Sequence, residues 1–128
     1  MKIRLWVATG LWGAVIAGLL LIPGDSLPDL SWFSLDKLGH FGLFLIWAWL
    51  WARTLEPLST PKVSALLVFV CLWALGTEFL QAAFASGRSA EIADVLADVA
   101  GFTVGLWGYL RLHLPRRLLG KLLRVSEV

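Results

Sequence analysis

The chain is poor in charged residues and in cysteine. Only 16% of its 128 residues are charged and 59% are hydrophobic, whereas about one quarter of a typical soluble domain is charged. This composition argues against a disordered chain and against an ordinary soluble fold. The single cysteine excludes an internal disulfide and a CxxC metal site. With 8 tryptophans and a mean hydropathy of +0.78, the sequence predicts an integral membrane protein.

Four apolar segments approach the length of about 20 residues that a helix needs to cross a bilayer. The connections between them are rich in proline, glycine and serine, which commonly end helices. We therefore predict an all-α fold, a membrane-embedded four-helix bundle, with helices at about 4–22, 36–53, 62–84 and 91–112. These helices make up a transmembrane domain over residues 1–112. A basic tail over residues 113–128 follows it.

The distribution of basic residues predicts the orientation of the helices. Lys37 and Arg88 fall on one side of the membrane, and the other nine Lys and Arg residues fall on the side that holds both termini. By the positive-inside rule, both termini face the cytoplasm. The tail alternates basic residues with leucine, so we expect a short amphipathic segment on the inner leaflet. A net charge of +2, with the basic excess at the membrane surface, disfavours a nucleic-acid partner.

Ionisable side chains are costly in a membrane, by about 2.5–3.5 kcal/mol each at its centre, yet this sequence gathers several of them. They lie at the start of helix two, the end of helix three, the third connection and the start of helix four. In the predicted orientation, all of these segments lie at the extracytoplasmic side. We call this group the polar cluster, which consists of Asp36, Lys37, His40, Glu78, Gln81, Arg88, Glu91, Asp94 and Asp98.

A stripe of acidic and then small residues follows helix four. Its members are Glu91, Asp94, Asp98, Gly101 and Gly105. Steps of three and four residues place them on one face of a helix. The Gly101-x-x-x-Gly105 pair predicts close approach of a neighbouring helix, and we expect Gly39 and Gly42 to have the same effect on helix two.

Three motifs occur in series between residues 36 and 105. They are Asp36-Lys37-x-x-His40-Phe41-x-x-Phe44, Glu78-x-x-Gln81 and Arg88-x-x-Glu91-x-x-Asp94-x-x-x-Asp98-x-x-Gly101-x-x-x-Gly105. In this order they resemble the VanZ-like family of small bacterial membrane proteins. The family usually has Asn where this chain has Asp98, so this chain carries an additional negative charge. The resemblance implies a multi-pass protein of the bacterial cytoplasmic (inner) membrane. It also implies a link to the cell envelope and to antibiotic resistance, since the family's namesake is associated with low-level resistance to teicoplanin-type glycopeptides.

We expect the polar cluster to bind the head group of an envelope lipid or of a lipid-linked cell-wall precursor. Lys37 and Arg88 would contact phosphate, and the carboxylates and amide would contact hydroxyls or amines. The expected ligand-binding residues are Lys37, His40, Glu78, Gln81, Arg88, Asp94 and Asp98. Membrane lipids are the expected partners, no metal or other cofactor is expected, and formation of a homo-oligomer stays open.

Three other functions stay open from the sequence. In a membrane-embedded enzyme, His40 held by Asp36 would be the general base, with Glu78 or Asp94 as the acid. In a metal-assisted version, His40, Glu78, Asp94 and Asp98 would hold the ion, although this ligand set is generic and has only one histidine. A path for ions or protons is another interpretation, but no polar residue continues from the acidic stripe of helix four towards the cytoplasm. Finally, the cluster could be a structural charge network at the helix ends, although buried ion pairs add little net stability.

Overall fold

A computed structural model describes residues 2–22, 33–85 and 89–125, and the side chains of all of these except 33–35 and 114–125. The described chain consists of four helices without strands: α1 (Lys2–Leu20), α2 (Phe33–Thr54), α3 (Thr60–Phe84) and α4 (Ile92–Val125). The predicted all-α fold with four helices is confirmed. Apart from the end of α4, the bounds lie within three residues of the predicted ones.

Three of the four helices are long and apolar enough to cross a membrane, namely α1, α3 and the part Ile92–His113 of α4. The remaining helix, α2, has 22 residues, which corresponds to about 33 Å. It is less apolar because Asp36 and Lys37 lie near its start and Arg53 near its end. The other helices cover one side of α2, since its Phe44 and Trp47 are buried in the core.

The last helix is longer than predicted. We expected it to end at about residue 112, but it continues through Pro115 to Val125. Leucine, arginine and lysine dominate this segment and are good helix formers, so the helix does not stop where the strongly apolar stretch does. Residues 126–128 of the predicted tail lie outside the described residues, and the position of the tail on the inner leaflet stays a prediction.

The four helices pack in a ring in which each has two neighbours, in the order α1, α2, α4, α3. The most extensive contact is between α2 and α4. Within the described chain, α2 and α3 lie across the ring from each other, and aromatic side chains fill the space between them. The ring of Trp47 on α2 lies 5.1 Å from that of Trp73 and 5.5 Å from that of Phe69, both on α3.

Two glycines explain why α2 and α4 pack so closely. A Cβ atom at Gly101 would clash with the backbone of Phe41, and one at Gly105 would lie 2.5 Å from the carbonyl oxygen of Leu45. The predicted close approach at these two glycines is therefore confirmed. The same expectation for the two α2 glycines was wrong. Within the described residues, a Cβ at Gly39 or Gly42 would meet no atom of another helix within 4 Å.

Candidate functional site

The polar cluster lies at one end of the bundle, which we call the polar end. Helices α2 and α4 begin there and α3 ends there. Side-chain contacts join all three helices at this level: α2 contacts α4 through Lys37 and His40, and α3 contacts the start of α4 through Glu78. The juxtaposition expected from the sequence is present for the described members of the cluster. Arg88 lies outside the described residues.

His40 and Asp98 form the most deeply buried pair of the cluster. His40 Nδ1 lies 2.9 Å from Asp98 Oδ1, and the two side chains are 2% and 0% exposed. The expected orienting partner of His40 was Asp36, and that prediction was wrong, because Nδ1 is hydrogen-bonded to Asp98 and Nε2 has no partner among the described residues. The reason is the close approach of the helices at Gly101, which brings Asp98, one turn earlier on α4, against α2.

Lys37 joins two carboxylates of α4. Its Nζ lies 2.9 Å from Glu91 Oε2 and 2.7 Å from Asp94 Oδ1. The Glu91 side chain is 50% exposed, whereas that of Asp94 is 9% exposed. Lys37, which we expected to contact the phosphate of a ligand, is thus engaged in ion pairs between α2 and α4.

Glu78 and Gln81 connect α3 to its neighbours. Glu78 Oε2 accepts a hydrogen bond of 2.9 Å from the backbone N–H of Glu91, just before α4. Gln81 Nε2 donates a hydrogen bond of 2.6 Å to the backbone carbonyl of Leu20, at the end of α1. Both side chains are buried. Part of the cluster therefore holds helix ends together, as the structural interpretation requires.

The polar cluster also contains buried polar atoms without a partner among the described residues. They are His40 Nε2, Glu78 Oε1 and Asp98 Oδ2. Folded proteins leave few such atoms unsatisfied, because each costs about 1–3 kcal/mol. These three atoms belong to side chains from three different helices. The cluster therefore offers hydrogen-bonding capacity that its internal contacts do not use.

The sequence pattern and this geometry agree with one comparison with known proteins. A family model described as VanZ/LLP1 matches residues 5–114. The chain belongs to the VanZ/LLP1 family. The match to VanZ/LLP1 includes every residue of the polar cluster and confirms the resemblance seen in the motifs. A comparison with curated proteins gives no match, and a comparison with solved structures gives none either.

One contact of this VanZ/LLP1 protein was not predicted from its sequence. No residue of α1 was expected near the polar cluster, yet the carbonyl oxygen of Leu20 accepts the Gln81 hydrogen bond. A backbone carbonyl has no signature in a sequence, because every residue carries one. Only the packing of α1 against α3 reveals this contact.

Proposed function

We propose that this VanZ/LLP1 protein binds the polar head group of an envelope lipid at the outer leaflet of the bacterial cytoplasmic membrane. The observation that supports this proposal is the set of buried, unpartnered atoms at the polar end, on His40, Glu78 and Asp98. A bound head group would satisfy these atoms and offset the cost of leaving them without hydrogen bonds.

The chemistry of these atoms favours a head group that donates hydrogen bonds. Ionised carboxylates only accept, so the free oxygens of Glu78 and Asp98 suit hydroxyl or ammonium groups. The described part of the cluster contains five carboxylates, compared with the cations Lys37 and, when protonated, His40. This excess of negative charge favours an amine-bearing or hydroxyl-rich head group over a bare phosphate. Arg88 stays the predicted contact for a phosphate.

Apolar side chains around the polar end support a lipid rather than a water-soluble ligand. Five large ones on α2, α3 and α4 are between 63% and 80% exposed: Leu38, Phe79, Phe84, Ile92 and Leu96. They lie within three residues of members of the polar cluster along the chain. A lipid could thus place its head group in the cluster while its acyl chains stay in contact with these apolar side chains.

A lipid-linked cell-wall precursor belongs to this ligand class and would connect the proposal to resistance. Such a molecule combines a hydroxyl-rich or amine-bearing head group with a long apolar chain at the outer leaflet. We therefore extend the proposal to an effect on teicoplanin-type susceptibility. Expression of the wild-type chain in a susceptible host should raise the minimal inhibitory concentration of teicoplanin, and expression of Glu78→Gln should not. An equal increase with both would argue against a role of the cluster in resistance.

An acid–base enzyme is a second candidate, because His40 is oriented by Asp98. A histidine whose Nδ1 is hydrogen-bonded to a buried carboxylate resembles a general base with its orienting group. The two candidates differ in the fate of the ligand. Incubation of the purified protein with total envelope lipids, followed by mass spectrometry, would yield altered lipids for an enzyme and unchanged, co-purified lipids for a binding protein.

Native lipid retention tests the binding proposal directly. The wild-type protein and its variants are purified in mild detergent, and the retained lipids are quantified by mass spectrometry. His40→Ala and Glu78→Gln remove groups of the cluster, and Arg88→Ala removes the predicted phosphate contact. The matched controls are His113→Ala and Glu56→Gln, which change the same residue types away from the polar end.

We expect one lipid class to be enriched with the wild type and with both controls. Loss of a hydrogen bond worth about 1.4 kcal/mol lowers an affinity about tenfold, so His40→Ala and Glu78→Gln should retain about tenfold less of that class. The same lipid profile in the cluster variants and the controls would refute the binding proposal.

A further inference from the structure

Three members of the polar cluster place potential metal ligands close together. A ring nitrogen of His40 and one carboxylate oxygen each from Asp36 and Asp94 all lie within 4.8 Å of one another. Asp36 and His40 are one turn apart on α2, and Asp94 lies at the start of α4. The packing of α2 on α4 therefore assembles one nitrogen and two oxygen donors from two helices.

The state of His40 gives an independent reason to expect a ligand at this place. Its side chain is almost fully buried, and Nε2 has no partner among the described residues. Nδ1 is hydrogen-bonded to Asp98 at 2.9 Å. When Asp98 is ionised and the ring is neutral, Nδ1 carries the proton, because an ionised carboxylate only accepts, and the lone pair lies on Nε2. Histidines that bind metals commonly have this arrangement, with the other ring nitrogen donating to a carboxylate.

We infer that Asp36, His40 and Asp94 form a binding site for a divalent transition-metal ion, with Asp98 as the residue that orients His40. A mixed set of imidazole and carboxylate donors suits Zn²⁺ or Mn²⁺. Three protein ligands leave a coordination position for water or for a ligand oxygen. This inference goes beyond the binding of a lipid head group. The ion would occupy His40 Nε2, and a head group would then bind through the free oxygens of Glu78 and Asp98.

The surrounding charges are compatible with a bound cation. Lys37 contacts Oδ1 of Asp94 at 2.7 Å, so Oδ2 is the oxygen that Asp94 would provide to the ion. A divalent ion would also reduce the negative excess of the five described carboxylates of the cluster.

The ligand atoms would have to move closer together to bind one ion. Tetrahedral donors at about 2.0–2.2 Å from an ion lie about 3.3–3.6 Å apart, whereas the three atoms lie within 4.8 Å of one another. Asp36 is the exposed member of the set, and rotation of its side chain would bring its carboxylate to the ion. His40 and Asp94 are buried and already positioned by their hydrogen bonds.

Titration of the full-length protein with metal tests the inference. The protein is purified in detergent, treated with EDTA, freed of the chelator and titrated by calorimetry with Zn²⁺ and, separately, with Mn²⁺. The key variant is Asp36→Asn, because a substitution of an exposed side chain should leave the fold intact. His40→Ala tests the nitrogen ligand. Glu56→Gln is the matched control, since it removes a carboxylate from the connection between α2 and α3.

We expect a single ion of at least one of these metals per chain in the wild type and in Glu56→Gln. Asp36→Asn and His40→Ala should bind it at least about tenfold more weakly, because loss of even an outer-shell partner commonly costs 10–100-fold in metal affinity. The inference is refuted if neither metal binds, or if Asp36→Asn binds it as tightly as the wild type does. Thermal unfolding of each variant shows whether a loss of binding reflects loss of fold.

A parallel lipid measurement separates this inference from the proposed function. The lipid-retention experiment is run on the same preparations that are titrated with metal. Lipid retained by a protein that binds no metal would refute the ion site and leave the lipid proposal intact. Metal bound by a protein that retains no specific lipid would refute the lipid proposal and leave the ion site intact.

Discussion

His40 Nδ1 on α2 and Asp98 Oδ1 on α4 lie 2.9 Å apart in the interior of the bundle. The two residues are far apart in sequence, and both side chains are buried. The resemblance to the VanZ-like motifs implies an Asn at the position of Asp98, and an amide oxygen would provide the same acceptor without a charge. The pair therefore combines a buried hydrogen bond with an ionisable carboxylate.

The first prediction concerns the stability of this pair. Asp98→Ala leaves the buried Nδ1 of His40 without its partner and should lower the free energy of unfolding by about 1–3 kcal/mol. Asp98→Asn should lower the free energy of unfolding clearly less, since the amide oxygen accepts the hydrogen bond. Thermal unfolding in detergent, followed by circular dichroism, measures both. Equal destabilisation by the two substitutions would show that the charge of Asp98, rather than its acceptor oxygen, stabilises the fold.

The second prediction concerns the contact between α2 and α4. Gly101→Ala introduces a methyl group against the backbone at Phe41, so we expect a destabilisation of about 1–3 kcal/mol. The control is Gly76→Ala on α3, where the added methyl meets no atom of another helix within 4 Å. That substitution should be neutral or should stabilise the helix by up to about 1 kcal/mol. Similar unfolding temperatures for both variants would contradict the close approach.

The third prediction separates the two ion pairs of Lys37. Glu91→Gln affects a half-exposed carboxylate. Because exposed ion pairs contribute about 0–1 kcal/mol to stability, the free energy of unfolding of this variant should remain close to that of the wild type. Lys37→Met also removes the partner of the largely buried Asp94 and should destabilise the protein more. Chemical unfolding in mixed micelles compares the two. A larger effect of Glu91→Gln would mean that the bridge to Glu91 is the stronger contact.

The fourth prediction tests the orientation in the membrane. In a Cys71→Ser background, single cysteines are introduced by Asp36→Cys at the polar end and by Glu56→Cys in the connection between α2 and α3. The positive-inside rule predicts that a membrane-impermeant maleimide labels position 36 in intact cells and position 56 only after lysis. The opposite labelling pattern would reverse the predicted orientation and place the polar cluster on the cytoplasmic side.

The sequence was informative wherever a local pattern has a single physical meaning. Apolar length identified the four helices, because backbone polar groups in a bilayer must be satisfied within a helix. The spacing of Gly101 and Gly105 identified the face of α4 that approaches a neighbour, since residues four apart lie on one side of a helix. The order and spacing of the motifs identified the family before any contact was known.

The tertiary structure decided which side chains become partners. Sequence spacing suggested Asp36 as the partner of His40, because residues four apart share a helix face. The Asp36 side chain, however, is exposed near the start of α2. Asp98 is the partner because α4 packs closely on α2. The hydrogen bond from Gln81 to the Leu20 carbonyl likewise depends on α1 lying beside α3. Periodicity along one helix defines its faces, whereas the pairing of faces depends on three-dimensional packing, which no single segment encodes.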